Sequence, residues 1–244
     1  MNAIETRHLT RRFGERIAVN DLNLTIPEGE CFALLGVNGA GKTTVIRMLC
    51  GLLQPTEGDA FLLGNSIISS PEKAKSLLNL SPQETAVAPN LSARENLEFI
   101  AGIYGMSRRE AKSAADEIIE AMGLHEIANR RAGKLSGGWQ RRLSIAMALI
   151  SRPRILFLDE PTLGLDVLAR RELWRLVESL KGKMTILLTT HYLEEAEALA
   201  HRIGIMADGR LKALGTAEEL KVLARADHFE EAFIALASGE EAGK

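Results

Sequence analysis

A glycine-rich segment near the N-terminus places the strongest constraint on the fold of this chain. Residues Gly36–Thr43 read Gly-Val-Asn-Gly-Ala-Gly-Lys-Thr and fit the pattern G-x-x-x-x-G-K-[ST]. The apolar run Cys31–Leu35 precedes the segment, and a helical pattern follows from Lys42 to about Leu52. An apolar run of this length indicates a strand that is buried on both faces of a parallel sheet. The chain is therefore predicted to contain a strand, a tight loop and a helix in the arrangement that binds phosphate groups.

The residue types in this loop suit a nucleotide triphosphate and a divalent cation. Glycines let backbone N–H groups turn toward phosphate oxygens, and Lys42 adds a positive charge. The Thr43 hydroxyl is placed to bind Mg²⁺, and Thr44 is within reach of the α-phosphate. The predicted phosphate-binding residues are Gly36, Asn38, Gly39, Ala40, Gly41, Lys42, Thr43 and Thr44. A chance match in a glycine-rich loop is the alternative, and the flanking strand and helix argue against it.

A second apolar run ends in two acidic residues. Ile155–Leu158 is followed directly by Asp159 and Glu160. In open α/β sheets, nucleotides bind in the crevice at the carboxyl ends of the parallel strands. We expect Asp159 to hold Mg²⁺, through water, and Glu160 to polarise the attacking water molecule. A solvated turn is the alternative, which the upstream phosphate loop makes less attractive.

A third segment predicts another helix N-terminus that suits an anion. Ser136 stands at the N-cap position, and Gly137 and Gly138 follow it at the start of a helix rich in Ala, Leu and Ile. Small residues at this point leave backbone N–H groups open to a ligand. A capped helix without a ligand is the alternative interpretation.

Strand and helix signals alternate along most of the chain. Alternation over residues 3–10 and 18–26 predicts short antiparallel strands, and residues 71–150 read as helical. Two capping boxes, Ser92–Glu95 and Ser107–Glu110, open helices within this block. Further predicted elements are strands at 155–158 and 185–189, helices at 170–180 and 193–200, and a hairpin over 202–214.

These signals predict an α/β fold with a three-layer core around a mainly parallel sheet. An antiparallel β-subdomain lies at the N-terminus, and a helical subdomain is inserted into the core. We expect one domain over residues 1–235, with its core at about 1–80 and 151–220 and the helical subdomain at about 81–150. Residues 236–244 are expected to be a frayed tail.

The composition of the 244 residues limits the classes of function. Lys plus Arg is 30 and Asp plus Glu is 32, which gives a net charge of −2 and no global attraction to nucleic acid. The arginine pairs Arg141-Arg142 and Arg170-Arg171 are therefore expected on solvated helix faces or in ion pairs. The start of the chain has no apolar signal segment, and no apolar run is long enough to cross a bilayer. Work at a membrane is expected to be done from outside the lipid.

Six motifs in a fixed order resemble those of the ATP-binding cassette (ABC) ATPases, a family of P-loop NTPases. The motifs are Walker A at Gly36–Thr44, a Q-loop glutamine at Gln83, the signature at Leu135–Gln140, Walker B at Ile155–Glu160, a D-loop at Leu163–Asp166 and a switch histidine at His191. The resemblance covers roughly residues 2–235 of the chain. It implies an ATPase that uses ATP and Mg²⁺.

The resemblance also implies that two cassettes pair head to tail and enclose two ATP molecules. Each ATP then lies between Walker A of one subunit and the signature of the other. Ser136, Gly137 and Gly138 would contact the γ-phosphate of the partner's nucleotide, and Asp166 would link the two sites. A homodimer is sufficient because one chain carries every motif, and a heterodimer with a second cassette stays open.

Further roles follow from the resemblance within one subunit. Glu160 is expected to be the general base, His191 to hold the γ-phosphate, and Gln83 to sense Mg²⁺ and the γ-phosphate. Phe13 matches the position that stacks on adenine, with an ordinary strand core residue as the alternative. Trp139 stands where the family most often has Gln, and we expect it to change only the packing beside the signature or to have no effect.

Within the family, the D-loop and residues 90–97 and 188–197 are similar to ATP-binding proteins of ABC-2-type exporters of drugs, lipids or polysaccharides. This similarity implies a separate integral-membrane subunit and a peripheral location on the cytoplasmic face of the cell membrane. A soluble ABC ATPase without a membrane partner and an importer subunit are the alternatives. A module that binds but does not hydrolyse ATP is disfavoured because Glu160 and His191 are both present.

Overall fold

The structure is a computed structural model that describes residues 1–239. The strands are β1 Asn2–Phe13, β2 Arg16–Pro27, β3 Cys31–Leu35, β4 Glu57–Leu62, β5 Asn65–Ser66, β6 Leu78–Ser81, β7 Ile155–Asp159, β8 Thr185–Thr190, β9 Arg202–Ala207 and β10 Arg210–Gly215. The helices are α1 Lys42–Leu49, α2 Pro71–Lys75, α3 Ala93–Ile103, α4 Arg108–Ala121, α5 Gly137–Leu149, α6 Val167–Leu180, α7 Leu193–Leu199, α8 Ala217–Ala224 and α9 Phe229–Ser238. Short 3₁₀ turns occupy His125–Ile127 and Ala132–Lys134.

The central sheet has six strands in the order β10-β9-β3-β8-β7-β6. Strands β9, β3, β8, β7 and β6 pair in parallel, and only the hairpin strand β10 runs antiparallel to its neighbour. The predicted mainly parallel sheet is confirmed. Because parallel strands end at one edge, the segments that follow β3, β6, β7 and β8 meet there.

The buried strands send alternate side chains to two hydrophobic clusters, one on each face of this sheet. In β3, Cys31, Ala33 and Leu35 join the cluster formed with α5, α6, α7 and α9, whereas Phe32 and Leu34 join the cluster formed with α1 and the N-terminal strands. All five residues are fully buried. Two-sided burial explains why the run is continuously apolar, and it produces the predicted three-layer core.

The N-terminal sheet is antiparallel, as predicted, with the order β2-β1-β4-β5. Its first two strands span 12 residues each, so the prediction of short strands is corrected. Register shifts interrupt the pairing of β1 with β2. The far end of this hairpin, where Phe13 pairs with Arg16, reaches the glycine-rich loop.

Helices α3, α4 and α5 pack together between β6 and β7 in the chain. Both predicted capping boxes, at Ser92 and Ser107, are present. The expectation of an unbroken helical block over residues 71–150 is corrected by β6. That strand lies at the sheet edge and is only partly buried, so its sequence, Leu-Asn-Leu-Ser, lacks a continuous apolar run.

Three predicted boundaries also change. Helix α1 ends at Leu49, near Gly51, which has a φ of 66° that other residues rarely adopt. Helix α6 begins three residues earlier than predicted because Asp166 caps it. Helix α9 continues to Ser238, so the first part of the predicted tail, 236–238, is helical, and residues 240–244 lie outside the described part of the chain.

Candidate active site

A cleft of about 460 Å³ opens at the carboxyl edge of the central sheet. Its walls come from the N-terminal hairpin, the glycine-rich loop, and the segments after β6, β7 and β8. The lining residues are Phe13, Arg16, Ala18, Asn38, Gly39, Ala40, Gly41, Lys42, Thr43, Thr44, Gln83, Glu160, Leu163 and His191. Thus the predicted phosphate loop, the Q-loop glutamine, the acidic pair and the switch histidine meet in one place.

The glycine-rich loop packs too closely against its neighbours for side chains at two positions. A Cβ at Gly41 would lie 2.3 Å from the Ala18 carbonyl oxygen, and the φ of Gly41 is 106°. A Cβ at Gly36 would lie 2.3 Å from the Met206 carbonyl oxygen. Gly41 is also the N-cap of α1 and supplies no side-chain cap, so backbone N–H groups of the first turn remain for an anion.

Lys42 is buried at the base of the cleft with its ammonium group fully engaged. Its Nζ donates to the carbonyl oxygens of Gly36, at 2.7 Å, and Val37, at 3.2 Å. The same atom lies 3.2 Å from Oε1 of Glu160, which is also buried. The positive charge at the start of α1 therefore faces the acidic end of β7.

Asp159 connects the ends of three elements through oxygen atoms. Its Oδ1 accepts hydrogen bonds from the hydroxyls of Thr43, at 3.1 Å, and Thr189, at 2.6 Å. Hydroxyl and carboxylate oxygens are the ligands that Mg²⁺ prefers. The side chains present therefore fit that ion. Residues 1–239 contain no cluster of three or more His, Cys, Asp or Glu that could hold a metal alone, so phosphate and water oxygens would complete its coordination.

Glu160 and His191 form a second interaction across the cleft. His191 Nδ1 lies 2.7 Å from Glu160 Oε2. The backbone of Glu160 has a φ of 48°, and its N–H donates to Thr189 Oγ1 at 3.0 Å. A left-handed conformation is costly for a glutamate and is maintained only when its surroundings fix it. The carboxylate is consequently held between Lys42 and His191.

An aromatic ring and an arginine support His191 from behind. The rings of His191 and Tyr192 have centroids 4.1 Å apart, and the guanidinium carbon of Arg170 lies 4.4 Å from the Tyr192 centroid. Arg170 belongs to the first turn of α6, and its N–H donates to the Asp166 carbonyl oxygen. The expectation that Arg170 faces solvent is corrected, because its guanidinium covers Tyr192.

The signature residues lie outside this cleft in the same chain. Ser136, Gly138 and Asp166 line a separate pocket of about 200 Å³. Ser136 occupies the N-cap position of α5, as predicted, but its side chain makes no capping hydrogen bond. Asp166 caps α6 instead, with Oδ1 accepting from the N–H groups of Leu168 and Ala169.

Arg141 joins the signature helix to the cleft. Its Nε and Nη2 donate to the carbonyl oxygens of Pro161 and Asp159, both at 2.8 Å. Its Nη1 donates to the carbonyl oxygens of Pro82 and Gln83. The residue is 3% exposed, which contradicts the expectation of a solvated helix face. Burial lowers the pKa of its guanidinium to about 10, so the group stays charged at neutral pH.

Comparison with known proteins decides the family. Residues 19–163 match a family model described as ABC transporter. The chain belongs to this family. The predicted resemblance to ABC ATPases is therefore confirmed, and the α/β fold agrees with the solved cassettes described next.

One curated relative of this ABC cassette is named for a multidrug transporter, and another is named for Nod factor export. The chain is 41% identical over 239 residues to the probable multidrug ABC transporter ATP-binding protein YbhF of Escherichia coli, covering 96% of the chain but only 41% of that relative. It is 42% identical over 219 residues to the Nod factor export ATP-binding protein I of Burkholderia lata, covering 89% of the chain and 72% of that relative. The chain therefore spans less than half of YbhF and most of the second relative.

A solved structure shows the same fold in a dimer. It is described as a dimeric, post-hydrolysis state of the ATP-binding cassette MJ0796 bound to ADP and phosphate. The TM-score is 0.77 at 28% identity, and the match covers 87% of this chain and 98% of that one. Among the helices described for this cassette, none is long and apolar enough to cross a membrane.

Sequence reasoning missed several residues of this cassette. Arg16 and Ala18 line the cleft without belonging to any motif, so no local pattern marked them, and Leu163 of the D-loop was not expected to line it. Arg141 had a detectable signal, because it begins a buried stripe with Ile145 and Ala148 at helical spacing. An arginine on an apolar helix face indicates a side chain with an internal partner.

Glu195 was also missed. It is fully buried in α7, where Trp174 Nε1 donates to its Oε1 at 3.2 Å. Burial is the main cause that raises the pKa of this carboxyl group above its ordinary value, and the hydrogen bond from Trp174 opposes that shift. A buried carboxyl group with a raised pKa therefore lies four residues after the switch histidine.

Proposed function

We propose that this chain is the ATP-hydrolysing subunit of an ABC exporter. Two copies pair head to tail, enclose two ATP molecules, and drive a separate integral-membrane subunit. The observation that carries the proposal is the convergence of Lys42, Asp159, Glu160 and His191 in one cleft at the sheet edge. Each group has the chemistry that phosphoryl transfer to water requires.

Nucleotide binding uses the backbone first. The N–H groups of residues 38–44 surround the β- and γ-phosphates at the N-terminus of α1. Lys42 then exchanges its contacts with the Gly36 and Val37 carbonyl oxygens for phosphate oxygens. Phe13, which is 48% exposed at the cleft mouth, offers its ring to adenine.

The Mg²⁺ ligands come from three segments that the fold brings together. Thr43 and Asp159 supply the oxygen atoms at the base of the cleft, and the Gln83 side chain faces the same space. The bound ion neutralises charge on the phosphates. Thr189 keeps the Asp159 carboxylate oriented through the hydrogen bond at 2.6 Å.

Hydrolysis requires a base close to the γ-phosphate. Glu160 accepts a proton from the attacking water as the oxygen–phosphorus bond forms, and ADP leaves with the electrons of the broken bond. The movement of Lys42 to the phosphates removes the ion pair that now occupies Oε1 of Glu160. His191 holds the other carboxylate oxygen and contacts the γ-phosphate.

The dimer supplies what one chain lacks at the cleft. Ser136 and Gly138 face a different pocket in their own subunit, and Ser136 and Gly137 are exposed at the start of α5. In a head-to-tail pair these groups donate to the γ-phosphate bound by the partner, and Asp166 lies between the two sites. The dimeric cassette MJ0796, bound to ADP and phosphate, supports this arrangement.

The membrane subunit docks on the helical subdomain. Helix α3 presents Phe99, Ile103 and Tyr104 to solvent, and each is at least 50% exposed. Apolar side chains that are grouped on the surface of a monomer are typical of a site that contacts another protein. The name of the Nod factor export relative supports export, and docking on a membrane subunit would put the cassette on the cytoplasmic face of the membrane.

The test is purification of a tagged Glu160→Gln variant from detergent-solubilised native membranes in the presence of ATP. The amide cannot accept the proton, so we expect hydrolysis to fall by about a hundredfold or more and the ATP-bound dimer to accumulate. A polytopic membrane protein that co-purifies would support the exporter proposal. Recovery with soluble partners only, such as ribosomal proteins, would overturn it in favour of a soluble ABC ATPase.

A further inference from the structure

Arg141 connects the two functional surfaces of one subunit. We propose that Arg141 is a positioning residue that ties the signature helix to the backbone of the Q-loop and Walker B. Through these contacts, nucleotide bound in a subunit's own cleft fixes the position of the signature residues that contact the partner's nucleotide. This inference rests on the proposed sandwich dimer. It assigns a role to a side chain that no motif of the sequence includes.

The contacts are directed at the segments that bind the nucleotide. Nη2 donates to the carbonyl oxygen of Asp159, the proposed magnesium ligand, and Nε donates to that of Pro161 on the other side of Glu160. Nη1 donates to the carbonyl oxygens of Pro82 and Gln83 in the Q-loop. One side chain of α5 therefore holds both segments that flank the γ-phosphate position.

The chemistry of arginine suits this task. The guanidinium is planar and carries five N–H donors in a fixed fork, whereas a lysine ammonium is a point charge on a flexible stem. Every hydrogen bond of Arg141 described above ends on a backbone carbonyl, so the group fixes main-chain positions. A buried cation held by carbonyl dipoles constrains geometry strongly, because each lost contact leaves a desolvated polar group.

A second contact on the same face of α5 reinforces the connection. Ser144, three residues after Arg141, lies with its Oγ 3.1 Å from Oγ of Ser81, the last residue of β6 before the Q-loop. Both serines are buried. At the start of the helix, Gln140 Nε2 donates to the carbonyl oxygen of Leu135, immediately before Ser136. The signature turn, α5 and the Q-loop thus move as one unit.

The consequence is a coupling between the two ATP sites of the dimer. Ligands that draw Gln83 or Asp159 toward the γ-phosphate also shift the carbonyl oxygens that Arg141 holds. The shift reaches Ser136 through five residues of rigid helix, and Ser136 contacts the nucleotide of the partner. An occupied cleft therefore favours closure of the opposite site, which is positive coupling in the thermodynamic sense.

The test measures ATP-driven dimerisation in the Glu160→Gln background by sedimentation velocity. Arg141→Lys keeps the charge and loses the fork, and we expect it to raise the ATP concentration for half-maximal dimerisation by about tenfold. Binding of a fluorescent ADP to the monomer should change by less than about twofold, because the phosphate loop is untouched. In the chain with Glu160 intact, Arg141→Lys should lower the Hill coefficient of ATP hydrolysis toward one.

Arg171→Lys is the matched control, because Arg171 is exposed on α6, and it should dimerise like the parent. Arg141→Gln, which removes the charge and leaves two N–H donors on a shorter side chain, is the second variant and should be impaired at least as strongly as Arg141→Lys. Unchanged dimerisation of Arg141→Lys would overturn the inference, as would loss of the folding transition in both Arg141 variants. Failure of the Glu160→Gln parent to dimerise would instead overturn the sandwich itself and the inference with it.

Discussion

The cleft and the signature turn, which are both proposed to contact phosphate, differ in how many internal partners their residues have. In the cleft, Lys42 and Asp159 are 5% exposed and have internal partners within 3.2 Å. At the signature, Ser136 and Gly137 are exposed, and the Ser136 hydroxyl caps nothing. In the proposed dimer, each chain therefore contributes two half-sites: the cleft, whose residues already have internal partners, and the signature turn, which acts on the nucleotide of the other chain.

Three other helices that begin with serine or threonine show how the start of α5 differs from a helix start that is capped internally. Ser92, Ser107 and Thr216 each begin a helix with a full capping box, in which a glutamate at the third helical position returns a hydrogen bond. At α5 that position holds Trp139, which cannot do so. Three helix starts are thus stabilised by their own capping boxes, whereas Ser136 at α5, like Ser70 at α2, makes no side-chain capping hydrogen bond.

The largest effect is expected when one variant inactivates the cleft, another inactivates the signature, and the two variants are mixed. Lys42→Met removes the charge at the phosphates, and Gly137→Asp places a carboxylate beside the partner's γ-phosphate. A Cβ at Gly137 meets only Leu165 Cδ2, at 4.0 Å, so the second variant should fold normally. We expect each variant alone to lose at least about a hundredfold of ATP hydrolysis. A mixture of the two should regain hydrolysis, because each mixed dimer contains one intact site.

Two controls sharpen this experiment. Monomeric Gly137→Asp should bind fluorescent ADP like the parent chain, whereas monomeric Lys42→Met should not. Doubling the amount of either variant should restore no activity. If the mixture stays inactive although both proteins are folded, the signature does not act in trans, and the contrast between the two half-sites loses its functional meaning.

The buried carboxyl group of Glu195 should make the free energy of unfolding depend on pH. Because the folded pKa of Glu195 lies above the unfolded value of 4.5, the folded state keeps a proton that the unfolded state has released. The free energy of unfolding therefore falls as pH rises above that value, by up to about 1.4 kcal/mol per pH unit, until the folded group also ionises. Glu195→Gln keeps the shape and removes the titration.

The measurement is urea unfolding of Glu195→Gln and the parent at about pH 5 and about pH 8. We expect the variant to gain stability relative to the parent as the pH increases. Glu194→Gln, an exposed neighbour on α7, should show no such trend. Equal pH dependence in the parent and Glu195→Gln would mean that Glu195 is ionised in the folded state.

The sequence predicted the cleft better than the surroundings that fix it. Walker A and Walker B are visible because a glycine loop and an acidic pair directly follow continuous apolar runs, which only two-sided burial requires. The four donor contacts of Arg141 join positions that are 18 to 59 residues apart. No local pattern encodes a side chain that reaches distant carbonyl oxygens. Arg141 was therefore predicted to lie on a solvated helix face or in an ion pair.

The fold shows the same division between local and distant information. The central strands and the capping boxes were predicted because their patterns are complete within a few residues. Strand β6 was missed because an edge strand needs an apolar face on one side only, and its pairing with β7 spans a long insertion. Asp166 was expected to act across the dimer, and its role as the cap of α6 became visible only with the helix boundary.

A smaller effect tests a second route between the two half-sites. Arg170 follows Asp166 by one helical turn and covers Tyr192, whose ring contacts His191 at a tilt of 41°. Arg170→Met should loosen the orientation of His191 and lower kcat about fivefold with little change in KM, since a stacked cation contributes about 1 kcal/mol.

Arg171→Met is the control on the exposed face of α6. The double variant Arg170→Met/Tyr192→Leu should be no worse than Tyr192→Leu alone, and additive losses would show that the two side chains act separately.

The smallest effect concerns Phe13, an exposed aromatic residue of the cleft. Phe13 is 48% exposed and lies beneath the Arg11 guanidinium, 4.6 Å from its ring centroid. If the ring stacks on adenine, Phe13→Ala should weaken ADP binding about threefold to tenfold, which corresponds to the usual energy of an aromatic pair. Calorimetry with inorganic triphosphate, which has no base, should give the same affinity for the variant and the parent, and Phe13→Tyr should retain ADP binding. Equal losses for ADP and triphosphate would instead indicate that Phe13 supports the phosphate loop. Another part of the cleft would then bind the nucleotide base.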